Sequence, residues 1–238
     1  MSKTAVVAGV GPGLGASIVH KFAKEGCRVG MLARSLDYLK VLAQEVEQAG
    51  GTALPLPTDI SDPDQVTNSF ANIRDAFGPV DILINHASLA SWKGLLDLSE
   101  TEFERAWRVT TFGAFLCSRE AVPDMLKSES GAILFTGATS SIRGREGALG
   151  FSSAKFATRG LADSMAREFW PKGIHVAHIV VDGVIDTPNV REQYKPEPDE
   201  PLLNPDTMAD TYWNLAQQER GAWTLEIDLR PHNETFFE

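Results

Sequence analysis

Val6-Val7-Ala8-Gly9-Val10-Gly11-Pro12-Gly13-Leu14-Gly15-Ala16-Ser17-Ile18 passes from an apolar run through a glycine-rich turn into a segment of helical period. Glycine admits backbone with φ > 0 and lets N–H groups come close to a ligand, and the start of a helix adds a positive partial charge. A strand, a glycine turn and a helix in that order predict a cradle for an anionic ligand such as a nucleotide diphosphate. Glycine turns also close ordinary strand-to-helix connections, but the flanking pattern favours the cradle.

Outward from this turn, short apolar runs keep alternating with longer segments of helical period. Strands are expected at Ala5 to Ala8, Arg28 to Ala33, Thr52 to Leu56, Val80 to Ile84, Ala132 to Phe135 and Ile174 to Val180, with Trp223 to Leu229 as a seventh. Polar residues alternate along the last, as at a sheet edge. Asp62-Pro63 supplies an N-cap and an N1 proline, and Val66, Phe70, Ile73 and Phe77 then recur at helical spacing up to Gly78-Pro79. Further helices are expected at Leu14 to Lys24, Leu36 to Gln48, Glu102 to Lys127, Phe151 to Trp170 and Asp206 to Gln218. The alternation predicts an α/β fold, a Rossmann-like doubly wound parallel sheet of about seven strands with helices on both faces. At 238 residues a single dinucleotide-binding domain over 1–238 is expected. The stretch from Thr187 to Pro201 carries Pro188, Pro196, Pro198 and Pro201, and reads as either a flap over a site or a plain surface connection.

Composition narrows the partners. Lys and Arg total 22 against 32 acidic residues, a net charge of −10, which disfavours nucleic acid. Cys27 and Cys117 stand far apart with no metal-binding cluster, so neither a disulfide framework nor a metal site is expected. No run is long enough to span a membrane, and the short apolar run after Met1-Ser2-Lys3-Thr4 is too brief for a secretion signal. The expected location is the cytoplasm.

Gly9, Gly13 and Gly15 fit Gly-x-x-x-Gly-x-Gly. Asp59-Ile60 follows the third strand, Asn85-His86-Ala87-Ser88 the fourth and Asp182-Gly183-Val184-Ile185-Asp186-Thr187 the sixth, and Lys155 lies inside a long helix. Together these resemble the short-chain dehydrogenases along most of the chain. The resemblance implies that Gly9, Gly13, Leu14 and Gly15 hold the diphosphate and that Asp59 and Ile60 border the adenine. It further implies that Asn85 and Ala87 line the cofactor groove, that Lys155 holds the nicotinamide ribose, and that Ile185 and Thr187 fix the carboxamide. After the second strand, Leu32-Ala33-Arg34-Ser35 offers no carboxylate for a ribose 2′-hydroxyl, whereas Arg34 can pair with a 2′-phosphate, so the expected cofactor is NADP rather than NAD. Gly11-Pro12-Gly13-Leu14-Gly15 also satisfies the Gly-x-Gly-x-Gly of methyltransferases that bind S-adenosylmethionine, a distant alternative that Arg34 disfavours.

The proton-transfer half of the family pattern is altered. The family places a tyrosine four residues before the lysine, neighbours on one helix face, so that the ammonium lowers the phenol's pKa. Here Phe151-Ser152-Ser153-Ala154-Lys155 keeps the ring and lacks the hydroxyl. The serine register thirteen residues earlier falls on Ala138, and the helix asparagine is Thr110. Ser140 or Ser141 is a substitute hydroxyl if turned inward; Ser152 and Ser153 point roughly 100° and 200° away from Phe151. His86 is another candidate donor, though packing beneath the glycine loop is the favoured reading, and a backbone hydrogen bond is expected of Asp182. Three readings stay open: an NADP-dependent oxidoreductase with a non-standard donor, reduction of a substrate needing little acid help, and an NADP-binding sensor or non-catalytic subunit.

Apolar faces on two helices, with Phe103, Trp107, Phe115 and Leu116 on one and Phe156, Leu161, Met165 and Phe169 on the other, predict a homodimer or homotetramer. The substrate is expected to be a small, apolar molecule met by Ser88 to Leu96 and the proline-rich stretch.

Overall fold

The computed structural model describes residues 2–233. In chain order the elements are β1 (Thr4–Ala8), α1 (Leu14–Lys24), β2 (Arg28–Ala33), α2 (Leu36–Gln48), β3 (Thr52–Pro57), α3 (Pro63–Phe77) and β4 (Ile82–Asn85). There follow α4 (Glu100–Trp107), α5 (Gly113–Ser128), β5 (Gly131–Thr136), α6 (Leu149–Phe169), β6 (Ile174–Val181), β7 (Val184–Ile185), β8 (Leu202–Leu203), α7 (Pro205–Ala216) and β9 (Glu226–Leu229). The main sheet has seven strands in the order β3-β2-β1-β4-β5-β6-β9, every pairing parallel. The expected doubly wound architecture is therefore what forms.

Two cores sandwich this sheet. One joins Ile18 and Phe22 of α1, Leu39 of α2 and Tyr212 of α7 to inward residues of the strands. The other joins Phe70 of α3, Cys117 of α5 and Ala162 of α6 to the opposite face. β6 is buried at all eight residues, as a strand covered on both faces must be. β9, at the edge, alternates exposed and half-buried residues. Cys27 and Cys117 are both buried and unpaired.

The punctuation read from the sequence works as expected. The Asp62 carboxylate accepts from the N–H groups of Asp64 and Gln65 at 3.0 and 3.2 Å, Pro63 opens α3, and Gly78 ends it with φ of 83°. Asn204 caps α7 in the same way at 2.9 and 3.0 Å.

Most boundaries shift by a residue or two, and three of the differences have a plain physical reason. The helix expected from Glu102 to Lys127 runs from Glu100 to Ser128 but is broken in winding, with a π-helical turn at Arg108–Phe112 between α4 and α5. Trp107 and Phe112 stack across that turn at 5.9 Å, and Phe112 on Phe115 at 6.1 Å. β4 starts at Ile82 rather than Val80, and β9 at Glu226 rather than Trp223, because only there do ladder partners exist on β1, β5 and β6. The proline-rich stretch is no bare loop: it forms a π-helical turn at Val190–Tyr194 and, through β8, pairs with β7 in a two-stranded parallel sheet.

Candidate active site

The sheet order reverses between β1 and β4, and the loops leaving the carboxyl ends of these strands open a crevice there. On the β1 side, Gly9 and Gly13 have φ of 106° and 108°. A Cβ on Gly9 would lie 2.4 Å from the backbone nitrogen of Ala87, and one on Gly13 would lie 2.4 Å from the Thr187 methyl. A Cβ on Gly11 would meet nothing within 4 Å, so the middle of the turn is open. No side chain caps α1, leaving the first N–H groups beyond Gly13, at Leu14 and Gly15, available to an anion. Gly15 is tight in another way, its Cβ position 3.0 Å from the carbonyl oxygen of Gly9.

At the end of β2, Arg34 is exposed and makes no hydrogen bond or ion pair among the described residues. The Asp59 carboxylate accepts from the N–H and hydroxyl of Ser61 at 2.9 and 2.7 Å; that hydroxyl, with the charge of Arg34 beside it, holds Asp59 below the usual carboxylate range. Ile60 turns into the core, where it fills the space that a Cβ on Gly113 would need. Asn85 closes β4: its Nδ2 donates to Ser118 at 3.1 Å, while its buried Oδ1 has no hydrogen-bond partner among the described residues. Ala87 N–H donates to the Ala8 carbonyl at 2.8 Å, tying β1 to the β4 loop.

Beyond the glycine turn lies a cavity of about 1000 Å³ lined by residues that include His86, Thr136, Ser140, Phe151, Lys155 and Ile185. Thr136, the last residue of β5, organises its floor. Its carbonyl accepts from Lys155 Nζ at 2.7 Å, and its hydroxyl bonds to His86 Nδ1 at 3.1 Å and to the Tyr212 hydroxyl at 2.8 Å. Burial pulls Lys155 down to about 8. Burial, helped by the charge of Lys155, pulls His86 down to about 4, so the imidazole is neutral at neutral pH. The Phe151 ring lies 5.6 Å from Lys155 Nζ and 5.7 Å from the Trp92 ring.

Several expected positions turn out otherwise. Ser141 is fully buried, and its hydroxyl accepts from the Ala138 N–H at 3.0 Å, closing a 3₁₀ turn instead of facing the cavity. Ser140 does line the cavity. Thr110, in the π-helical turn, spends its hydroxyl on the Leu89 N–H at 3.2 Å, fixing the loop after β4. Asp182 does not simply bond backbone: its carboxylate accepts from the Thr139 hydroxyl and pairs with Arg230 Nη1 at 3.0 Å. Sequence reading assigned nothing to Thr136, Tyr212 or Arg143, since only tertiary packing brings Thr136 and Arg143 to the cavity and Tyr212 to the Thr136 hydroxyl; Thr139, with Ser140 and Ser141 a hydroxyl near the vacant serine position, lines the cavity but donates to Asp182. Among the described residues no group of His, Cys, Asp and Glu can hold a metal ion, and no helix is long and apolar enough to cross a membrane.

A family model described as short chain dehydrogenase matches residues 3–198, a span that contains the glycine turn, Asn85, Lys155 and Thr187. The chain belongs to the short-chain dehydrogenases. The family is one of oxidoreductases on a Rossmann-like NAD(P)-binding fold, and membership sets the methyltransferase reading aside. Among curated relatives, 3-oxoacyl-[acyl-carrier-protein] reductase FabG of Staphylococcus aureus is 29% identical over 177 residues, covering 74% of this chain and 72% of the relative. An uncharacterized short-chain type dehydrogenase/reductase, y4mP of Sinorhizobium fredii, is 33% identical over 190 residues, covering 78% and 75%. A crystal structure of a short-chain dehydrogenase from Rhodopseudomonas palustris superposes with a TM-score of 0.84 at 36% identity, covering 97% of this chain and 99% of that one. L-sorbose reductase of Gluconobacter frateurii, solved with NADPH and L-sorbose, has a TM-score of 0.88 at 22% identity over 97% and 95%, a likeness of fold.

Proposed function

We propose that residues 1–238 form one domain that works as an NADP-dependent oxidoreductase on a small carbonyl or alcohol, with Lys155 in place of a tyrosine as the proton-transfer group. The cofactor fits the residues present: a cradle that any Cβ would fill at Gly9 and Gly13, an uncapped α1, an unpaired Arg34 for the 2′-phosphate and an orphaned Asn85 oxygen. NAD is the less favoured form, because no carboxylate follows β2. The bound nicotinamide supplies or takes the hydride.

One observation carries the proton-transfer assignment, namely Lys155 on the cavity wall with a pKa drawn down to about 8. An acid works best when its pKa lies near the working pH, and an ordinary lysine would be too weak. Thr136 holds the ammonium in place through its carbonyl, and the neutral imidazole of His86 holds the Thr136 hydroxyl. His86, titrating near 4, is a positioning residue and no donor at neutral pH. Trp92, Phe151, Val184 and Ile185 give the cavity an apolar side that suits an apolar substrate and excludes water from the ammonium.

The test pairs binding with turnover. Fluorescence titration should show NADPH binding more tightly than NADH, and a carbonyl panel should show NADPH oxidation that Lys155→Met abolishes while Ser140→Ala does not. Tighter binding of NADH would remove the NADP assignment, and retained turnover in Lys155→Met would remove the proton assignment. A sensor or non-catalytic subunit is the second reading, favoured by the loss of hydroxyls at Phe151 and Ala138; tight NADPH binding with no turnover across the panel would establish it. A cytoplasmic homodimer or homotetramer is part of the proposal, because Phe103, Trp107, Phe115 and Phe156 are 41% to 43% exposed. A monomer by light scattering would end it.

A further inference from the structure

In the lining of this cavity, Arg143 is the one charged residue whose side chain has no acceptor, ion-pair or ring partner among the described residues and whose buried Nε is left without a hydrogen bond. A buried N–H without an acceptor is destabilising, so such a donor is kept where something else satisfies it. The other charges of the lining are engaged or solvated. Lys155 donates to Thr136, and the guanidinium of Arg145 lies over the Trp92 ring at 5.7 Å. Asp182 is held by Thr139 and Arg230, Glu200 accepts from the Glu197 N–H at 3.2 Å, and Glu146 is exposed. Among the described residues no carboxylate lies within ion-pair distance of Arg143.

The backbone of Arg143 is fixed as firmly as the catalytic floor. Its N–H donates to the Thr139 carbonyl at 3.1 Å, and the 3₁₀ turn at Thr139–Ser141 is closed by the Ser141 hydroxyl on the Ala138 N–H. A half-buried guanidinium on a rigid turn is preorganised, and its Nε and Nη edge matches the two oxygens of a carboxylate as a planar fork. The same cavity is also lined by apolar side chains, among them Trp92 and Phe151, whose rings lie 5.7 Å apart, and Ile185.

We propose that this cavity takes a substrate with two poles, an apolar chain against Trp92 and Phe151 and a terminal carboxylate on Arg143, which makes the substrate class an apolar oxo- or hydroxy-acid. This rests on the oxidoreductase reading of the same cavity and adds the anionic pole to it.

The probes are octanoate and its uncharged counterpart octanamide, titrated by calorimetry into the full chain with and without saturating NADP. Octanoate should bind about ten- to a hundred-fold more tightly than octanamide, the range expected for hydrogen bonds to a charged group. Arg143→Gln should remove that preference, and Arg143→Lys, which keeps the charge and loses the fork, should retain part of it. Both variants should bind NADP like the parent. Equal affinity for the two probes, binding of neither, or an undiminished preference in Arg143→Gln would overturn the anionic pole. Failure of NADP to bind, with the octanoate preference intact, would overturn the oxidoreductase reading and leave the carboxylate site standing.

Discussion

Replacing Lys155 by Met should change how stability depends on pH, by an amount that follows from burial alone. The side chain is 2% exposed and titrates near 8 in the folded protein, against 10.5 for the ordinary group. Below pH 8 both folded and unfolded chains carry the proton, and the cost of burying the ammonium is fully present. Between 8 and 10.5 the unfolded chain keeps a proton that the folded chain has released, so the free energy of unfolding rises with pH. Integrated from pH 7 to pH 10, the gain is about 2.5 kcal/mol for the parent and zero for a methionine at this site. Urea unfolding of both proteins at the two pH values isolates the term, because every other titrating group cancels in the difference. A parent-minus-variant difference that stays constant with pH would refute both the lowered pKa and the proton-transfer role built on it.

Other changes act on the same site. Phe151→Tyr places a phenol on the ring 5.6 Å from Lys155 Nζ and should raise carbonyl reduction by about 10²- to 10⁴-fold in NADPH consumption assays. Gly13→Ala would force a side chain into φ of 108° and against Thr187; NADPH affinity should be lost in fluorescence titration, with destabilisation of about 1–3 kcal/mol by urea unfolding. Arg34→Ala should weaken NADPH about ten- to a hundred-fold and leave NADH unchanged, as parallel titrations would show. Asp62→Ala, which removes both cap bonds at the start of α3, should cost about 1 kcal/mol in urea unfolding without touching cofactor affinity.

What was legible in the sequence was whatever a residue type forces locally. Only glycine tolerates the backbone at positions 9 and 13, so the cradle announces itself, and Asp62-Pro63 marks a helix start because few other pairs satisfy those N–H groups. The double-sided burial of β6 shows in its apolar composition, interrupted only by His175 and His178. The ring nitrogens of His175 face the carbonyls of Leu215 and Thr224 at 3.1 and 2.8 Å, and His178 bonds Glu226 through Nδ1 at 2.9 Å while its buried Nε2 has no hydrogen-bond partner among the described residues. What was not legible depends on partners distant in the chain. Ser141 and Ser140 are adjacent hydroxyls, yet one closes a turn and the other faces the cavity, a difference set by the 3₁₀ geometry and not by residue type. Asp182 takes its partners from Thr139 and Arg230, on segments that meet only after β5, β6 and β9 have paired. Arg143 is informative through what surrounds it, and no spacing in the chain encodes that.

The π-helical turn at Arg108–Phe112 makes this stretch sensitive to length in a way that helix propensity would not foretell. Each residue of a regular helix advances about 100° around the axis, so deleting one residue here would restore ordinary winding and swing everything after it by that angle. Thr110 would drop its hold on the Leu89 loop beside the cavity, and the stacked rings of Trp107, Phe112 and Phe115 would part company. One surplus residue thus keeps a loop at the crevice and an outward aromatic strip in phase, and a shortened homologue would have to rebuild both together.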